Sequence, residues 1–358
     1  MPTATEPPAT PTAIDTLTIP ELTATAGGAT LTPIFTPSAT TDPLITPTQL
    51  PSETPTRTPS HTNTPTPTST PIGFTAKLVA SDGAAFDQFG FAVAYSDSGD
   101  TALVGTYEEF FVTDDKQGSA YVFVRSGTAW IQQAKLTASD GAIGDLFGYS
   151  VALSADGDTA LVGAIIDDIG ANEAQGSAYV FTRSGGVWTQ QTKLLVSDGA
   201  AGDQFGVSVA LNSAGDTALV GADFDDIGAN EDQGSTYIFT RSGAVWTQQT
   251  QLVADDGAAG DRFGISVALS GAGDIALVGA SFDTIGTNFA QGSAYGFTRS
   301  GGVWTQQTQL LASDGAANDN FGSSVALSSA GDIALVGAID DDIGANVDQG
   351  AAYVFALP

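Results

Sequence analysis

The chain has no cysteine, one methionine and one histidine. Without cysteine there is no disulfide framework and no thiolate metal site. The compartment stays open, because a large enough core folds without covalent staples. The one histidine, His61, lies in a Pro-rich stretch with no folded character, so a folded site has no imidazole to use. Basic residues are also scarce: 10 Lys and Arg stand against 40 Asp and Glu, a net charge of −30. That balance argues against nucleic acid and against anionic membrane surfaces as partners, and it draws cations. No apolar run approaches the ~20 residues that span a bilayer, so direct membrane insertion is not expected. No charged-then-apolar leader follows Met1, which leaves a truncated start or another export route.

What is present falls into two regions. Residues 1–71 hold 23 Thr and 15 of the 16 Pro. Proline removes a backbone donor and biases its neighbour to extended geometry. The region also lacks the apolar residues that would offset ordering entropy. It reads as a disordered Thr/Pro-rich linker or stalk, with O-glycosylation on Thr as one option. From residue 72 to 358 the composition changes to Gly, Ala, Val and Asp, and a repeat appears. Phe-Gly recurs at 89–90, 147–148, 205–206, 263–264 and 321–322, a period of 58. Tyr121, Tyr179, Tyr237, Tyr295 and Tyr353 keep that period, and so do Trp130, Trp188, Trp246 and Trp304. A fixed period of this length signals an array, solenoid or propeller.

One unit predicts four strands. "FGVSVAL" alternates with period 2, "TALVGA" is apolar or small on both faces, "STYIFTR" is rich in β-formers, and "WTQQTQLVA" is more polar. Strands apolar on both faces need cover on both faces, which radially packed sheets supply. A linear solenoid would need polar caps, and neither end has one. The folded region opens with a lone fourth strand, "IGFTAKLVASDGA", and closes on a third, "AAYVFALP". The expected architecture is therefore an all-β, five-bladed β-propeller of four-stranded antiparallel blades. Residues 72–80 are expected to close it as the outer strand of the last blade.

The string "FGVSVAL…DTALVGA…GSTYIF", repeated five times over residues 72–356, resembles the FG-GAP repeats of integrin α-subunit propellers and their bacterial relatives. The resemblance implies a β-propeller, often of seven blades, with adhesion or extracellular binding as its role. It also implies calcium in some blades, through an acidic loop between strands one and two. Here the Pro of GAP is missing and that loop is short: "SDSGDT", "SADGDT", "NSAGDT", "GAGDI", "SSAGDI". Only Asp97 with Asp100 and Asp156 with Asp158 offer two acids. Calcium takes six to eight oxygens, so these Asp residues read as turn caps.

In a meander, the two-to-three and four-to-one connections share one face, and here both are long and acidic. Residues 223–234, "DFDDIGANEDQG", hold five carboxylates. Candidate binding residues are Asp167 and Asp168, Asp225 and Asp226, and Asp341 and Asp342. Tyr107, Glu108, Glu109, Phe110 and Phe111 join them from the divergent first unit. If a cation binds, Asp225, Asp226, Asn230 and Asp232 are its ligands; otherwise no cofactor is expected. Gly, Ala and Asn should leave the loops loose and gather cations only diffusely. The pair Asp198 and Asp203, copied in every unit, reads as a structural turn, and the tryptophans as packing residues.

Nearly identical units supply no asymmetric acid and base pair, and no nucleophile or phosphate motif appears, so the protein is not expected to be an enzyme. The reading is a non-enzymatic recognition or adhesion module, secreted or on the cell surface. It would be a monomeric domain on a tether, binding a protein or glycan through the acidic long-loop face. The alternatives are a lectin-like multivalent sugar binder and a structural spacer.

Overall fold

The computed structural model describes residues 76–107 and 117–357, all within one compact unit, Thr70–Pro358. The described residues form nineteen strands and no helix. The first blade comprises β1 (Ala92–Tyr95), β2 (Thr101–Thr106), β3 (Ser119–Ser126) and β4 (Ala129–Leu136). The second holds β5 (Phe147–Leu153), β6 (Thr159–Ala164), β7 (Ser177–Ser184) and β8 (Val187–Leu194). The third holds β9 (Val209–Leu211), β10 (Thr217–Ala222), β11 (Ser235–Ser242) and β12 (Val245–Leu252). The fourth holds β13 (Phe263–Leu269), β14 (Ile275–Ala280), β15 (Ser293–Ser300) and β16 (Val303–Leu310). The fifth holds β17 (Phe321–Leu327), β18 (Ile333–Ala338) and β19 (Ala351–Ala356). Each sheet is an antiparallel meander in chain order. The architecture is the expected all-β propeller arrangement of five blades.

The blades cover one another as the two-faced apolar pattern requires. Every residue of β2, β6 and β10 is buried. Leu103, Val122 and Leu136 of the first blade pack against Phe147, Val162 and Phe181 of the second. The same columns form the next interfaces. The tryptophans are half-buried at the rim, each packed on one of these clusters: Trp188, Trp246 and Trp304 on the blades before them.

Two glycines per unit allow the inner strands to converge. A Cβ on Gly163 would lie 2.1 Å from the carbonyl oxygen of Gly206 in the next blade, and Gly206 itself sits at φ 102°, a conformation costly for any residue with a Cβ. Gly148, Gly264 and Gly322 share that left-handed conformation, and their strands begin at the preceding Phe, whereas β9 begins only at Val209. On the short-turn side the turns are joined by backbone hydrogen bonds. Asp97 N–H donates to Ala155 O at 3.0 Å, Ala155 to Ser213 at 3.0 Å, Ser213 to Gly271 at 3.0 Å and Gly271 to Ser329 at 2.8 Å. All five turns line one axial cavity of about 180 Å³.

Closure by the N-terminal strand is not made among the described residues. The last sheet has three strands, residues 76–80 form none, and residues 72–75 lie outside the described ones. Leu78 and Ala80 instead pack on the first blade with Phe89 and Trp130. Ser81 N–H donates to Gln132 Oε1 at 2.8 Å, as Ser139 does to Gln190 and Ser197 to Gln248 further along. The segment thus sits in the place of a fourth-strand end relative to the first blade. Among the described strands, none of the first blade packs closely on one of the last.

Candidate functional site

The long connections emerge together and are laced to one another. In the third blade, Gly260 N–H donates to Glu231 O at 2.8 Å and Arg262 N–H to Asp232 O at 3.2 Å. The Asn230 side-chain amide donates to Gly257 O at 3.2 Å and to Gln233 Oε1 at 2.7 Å. Ile227 and Asn230 exchange two backbone hydrogen bonds of 3.1 Å. The loops are therefore not loose, contrary to what their Gly, Ala and Asn content suggested; their polar groups are spent on holding them shut.

The acidic residues follow the same logic. Asp225 is buried, and its Oδ2 accepts from Ser235 Oγ at 2.5 Å, Tyr237 OH at 2.7 Å and Gln251 Nε2 at 3.0 Å. Burial pushes the Tyr237 phenol up, with Asp225 adding to the rise. Asp226 Oδ1 accepts the backbone N–H of Asp232 at 2.8 Å. Asp167 repeats the inward role with Ser177 and Tyr179, joined by Lys193 Nζ at 2.7 Å. Asp168 repeats the cap on Ala174 N–H. Asp341 accepts from Tyr353 OH and Asp342 caps Asp348 N–H. Asp225, Asp226, Asn230 and Asp232 therefore face different partners instead of one centre. Among the described residues no three acidic or histidine side chains are grouped to hold a metal ion.

The turn acids are structural in geometry. Asp203 Oδ2 accepts Ala200 N–H at 2.6 Å, and Asp87, Asp145, Asp261 and Asp319 do the same in their units. All five are buried. Burial pushes Asp203 and Asp261 up to about 6, since a desolvated carboxylate favours its neutral form. In the short turns, Asp100 Oδ1 accepts from Ser98 Oγ at 2.6 Å. Asp156 Oδ1 accepts Asp158 N–H at 2.9 Å, and Asp158 pairs with Arg183 Nε at 2.6 Å. These are the contacts of Asp-capped turns.

Repeat symmetry breaks notably at two places on the long-loop side, besides the Lys193 ion pair with Asp167. Tyr107, from the divergent first unit, stacks edge-on against Phe91 with ring centroids 4.3 Å apart. Both meet Tyr149 of the second blade, at 5.6 Å and 4.9 Å. Glu108, Glu109, Phe110 and Phe111 lie outside the described residues. The second place is Asp223, which is 1% exposed. Its Oδ2 lies 3.7 Å from Arg262 Nη1 and its Oδ1 has no hydrogen-bond partner. Burial raises its pKa to about 6 against the pull of Arg262. The Arg262 guanidinium lies 3.7 Å from the Phe224 ring centroid and 5.0 Å from that of Phe282. Sequence reasoning missed this pair. The signal was there: position 223 aligns with Tyr107, Ile165, Ser281 and Ile339, and position 262 with Gln88, Leu146, Gln204 and Asn320.

The Phe-Gly columns, the glycine contacts between blades and the 58-residue period now meet in one comparison. The FG-GAP repeat family matches residues 72–123, 130–181, 188–239, 246–297 and 304–355. The chain belongs to the FG-GAP repeat family. From residue 130 on, each FG-GAP match spans the fourth strand of one blade and three strands of the next, so the Phe-Gly pair of its name lies where two blades touch. No curated protein matches the chain.

Proposed function

We propose that this FG-GAP domain is a non-enzymatic recognition module. In this reading it is displayed outside the cell on its Thr/Pro-rich tether and binds a protein or glycan through the long-loop face. The observation that carries the reading is the Phe91, Tyr107 and Tyr149 cluster. It is an exposed aromatic patch built from two blades, on a face whose loops otherwise largely repeat. Phe91 is exposed and Tyr107 half-exposed, and aromatic groups with a polar tip are favoured at contact surfaces. Loops held on a rigid scaffold suit recognition. The integrin-like role in adhesion rests on family resemblance.

The lectin-like alternative asks for one pocket per blade. The repeated loop side chains already bind one another, which weighs against it. The spacer alternative gains from the same fact.

The test is a glycan array and an extracellular-protein panel, probed with the full chain and with Phe91→Ala and Tyr107→Ala. Supporting results are a ligand whose binding falls at least tenfold in the variants, with melting temperature unchanged. Binding untouched by both variants would sink the proposed face, and a blank panel would favour the spacer.

A further inference from the structure

Four blade junctions share one template, and a fifth copy of its two halves is left apart. In each junction the rear of one blade receives the front of the next. The rear leucine is fully buried at Leu103, Leu161, Leu219 and Leu277. In the last blade the same column is Leu335, 45% exposed, and the neighbouring Val354 is 69% exposed. The front column holds Val93, 68% exposed, and Tyr95, 55% exposed, in the first blade; its equivalents Val151 and Leu153 are covered. Beside Tyr95 lies a hollow of about 400 Å³ bordered by Arg125 and Trp130.

The polar half of the template is equally specific. Ser150, Ser208 and Ser266 each donate from Oγ to the carbonyl of the next blade's Phe-Gly glycine at 2.7 Å. Phe147, Phe205, Phe263 and Phe321 donate N–H to Gln117, Gln175, Gln233 and Gln291 of the blade before at 2.8–3.0 Å. The corresponding groups left over are Ser324 Oγ and the Gln349 backbone carbonyl at the rear of the last blade, and the Gly90 carbonyl and Phe89 N–H at the front of the first; the Gln349 side chain already accepts from Asn346. Among the described strands the last sheet stops at β19, whose outer edge has no partner strand. Within one copy, no described strand of the first blade packs closely on one of the last.

We propose that the rear of the last blade docks on the front of the first blade of a second copy of this chain, head to tail. The contact continues the interface the molecule already makes four times. Apolar columns meet, Ser324 donates to the partner's Gly90 carbonyl, and Phe89 of the partner donates to Gln349. Such a junction is heterologous, so it builds rings or linear chains of copies rather than two-fold dimers. This departs from the monomeric domain expected from the sequence.

The experiment is sedimentation velocity of the full chain across a hundredfold concentration range, with one variant for each surface. Gly337→Ala marks the rear. Its equivalent Gly279 would bring a Cβ within 1.9 Å of Gly322 O in the following blade, whereas at Gly337 the close atom is the side-chain Oγ of Ser324, with no backbone nearer than 3.8 Å. Val93→Asp marks the front. The unaltered chain should form species larger than one copy as concentration rises, and each variant alone should stay monomeric with an unchanged melting temperature. Mixed in equal amounts, the two variants keep one good front and one good rear, and should form a dimer that grows no further. A chain monomeric throughout, or a mixture that does not pair, overturns the proposal. Monomers whose melting temperature falls in both variants would instead reveal closure within one copy.

Discussion

Gln133 Oε1, on the fourth strand of the first blade, accepts the indole N–H of Trp188, on the fourth strand of the second, at 2.9 Å. Gln191 and Trp246 repeat the bond at 2.8 Å. The rim is thus stitched at these two junctions by side chains 55 residues apart, and Arg183 Nη1 adds a second bond to Gln133 at 3.2 Å; the Trp304 indole N–H has no such partner. Trp188 is half-buried, so Trp188→Ala should cost about 2–3 kcal/mol, below the ~3–5 of a fully buried tryptophan. Gln133→Ala should cost about 1 kcal/mol, and a double-mutant cycle by chemical denaturation should show coupling between the two. Additive effects would mean that the bond contributes nothing.

Much of this was legible. Alternation in "FGVSVAL" and the two-faced "TALVGA" named the strands, and the 58-residue period named the blades. The looser points share a cause. Alternation does not reveal the sign of φ, so the left-handed glycine of each Phe-Gly pair was invisible. The phase of residues 72–80 says which strand they resemble, not the angle each blade turns through, so closure did not follow from it. Reading the units as copies hid Asp223 and Arg262, which matter because they are not copied. The composition of "DFDDIGANEDQG" suggested looseness, because the cross-links that hold it lie 27 residues away in sequence, as from Asn230 to Gly257.

Glycine at the blade junction offers a sharp contrast. Gly163→Ala drives a Cβ into the backbone carbonyl of Gly206, and neither strand can retreat without opening the junction. The expected loss is at or above the upper end of the ~1–3 kcal/mol typical of overpacking. At dilutions where only single copies exist, Gly337→Ala should change the melting midpoint little. Equal effects at the two sites would contradict the close approach.

Asp203 and Asp261 give the pH dependence its sign. Their folded pKa of about 6 lies above the ~3.9 of an unfolded Asp. The folded state therefore holds these protons more tightly, and the stability they contribute is full below about pH 4 and lost as pH rises through 6. Melting temperature should rise as pH falls from 7 to 5. Asp203→Asn with Asp261→Asn keeps the oxygen that accepts from Ala200 and Ala258, and should flatten that slope. Asp82, hydrogen-bonded to Lys135 and Tyr121, is held below the usual carboxylate range, so its contribution is lost only at still lower pH.

Asp225 separates a metal loop from a structural one. Asp225→Ala leaves Ser235, Tyr237 and Gln251 without their shared acceptor, and should cost roughly 3 kcal/mol with or without calcium. Millimolar calcium against chelator, in about 0.15 M monovalent salt, should move the unaltered chain's melting temperature by no more than a degree or two. A specific site would add ~2.7 kcal/mol at a hundredfold excess over its dissociation constant. A large rise abolished by Asp225→Ala would make the loop a calcium site.

The family match begins each unit on a fourth strand, as at residues 130–181, and ends it on the third strand of the following blade. The matched unit is therefore out of step with the folded blade: it carries the fourth strand of one blade and three strands of the next. A tandem duplication of that module brings both partners of a new junction, Gln133-like acceptor and Trp188-like donor, in a single event. No insertion of a whole module creates an unmatched seam, so an array of this kind can lengthen or shorten over evolutionary time while every internal joint remains one that has already been tried.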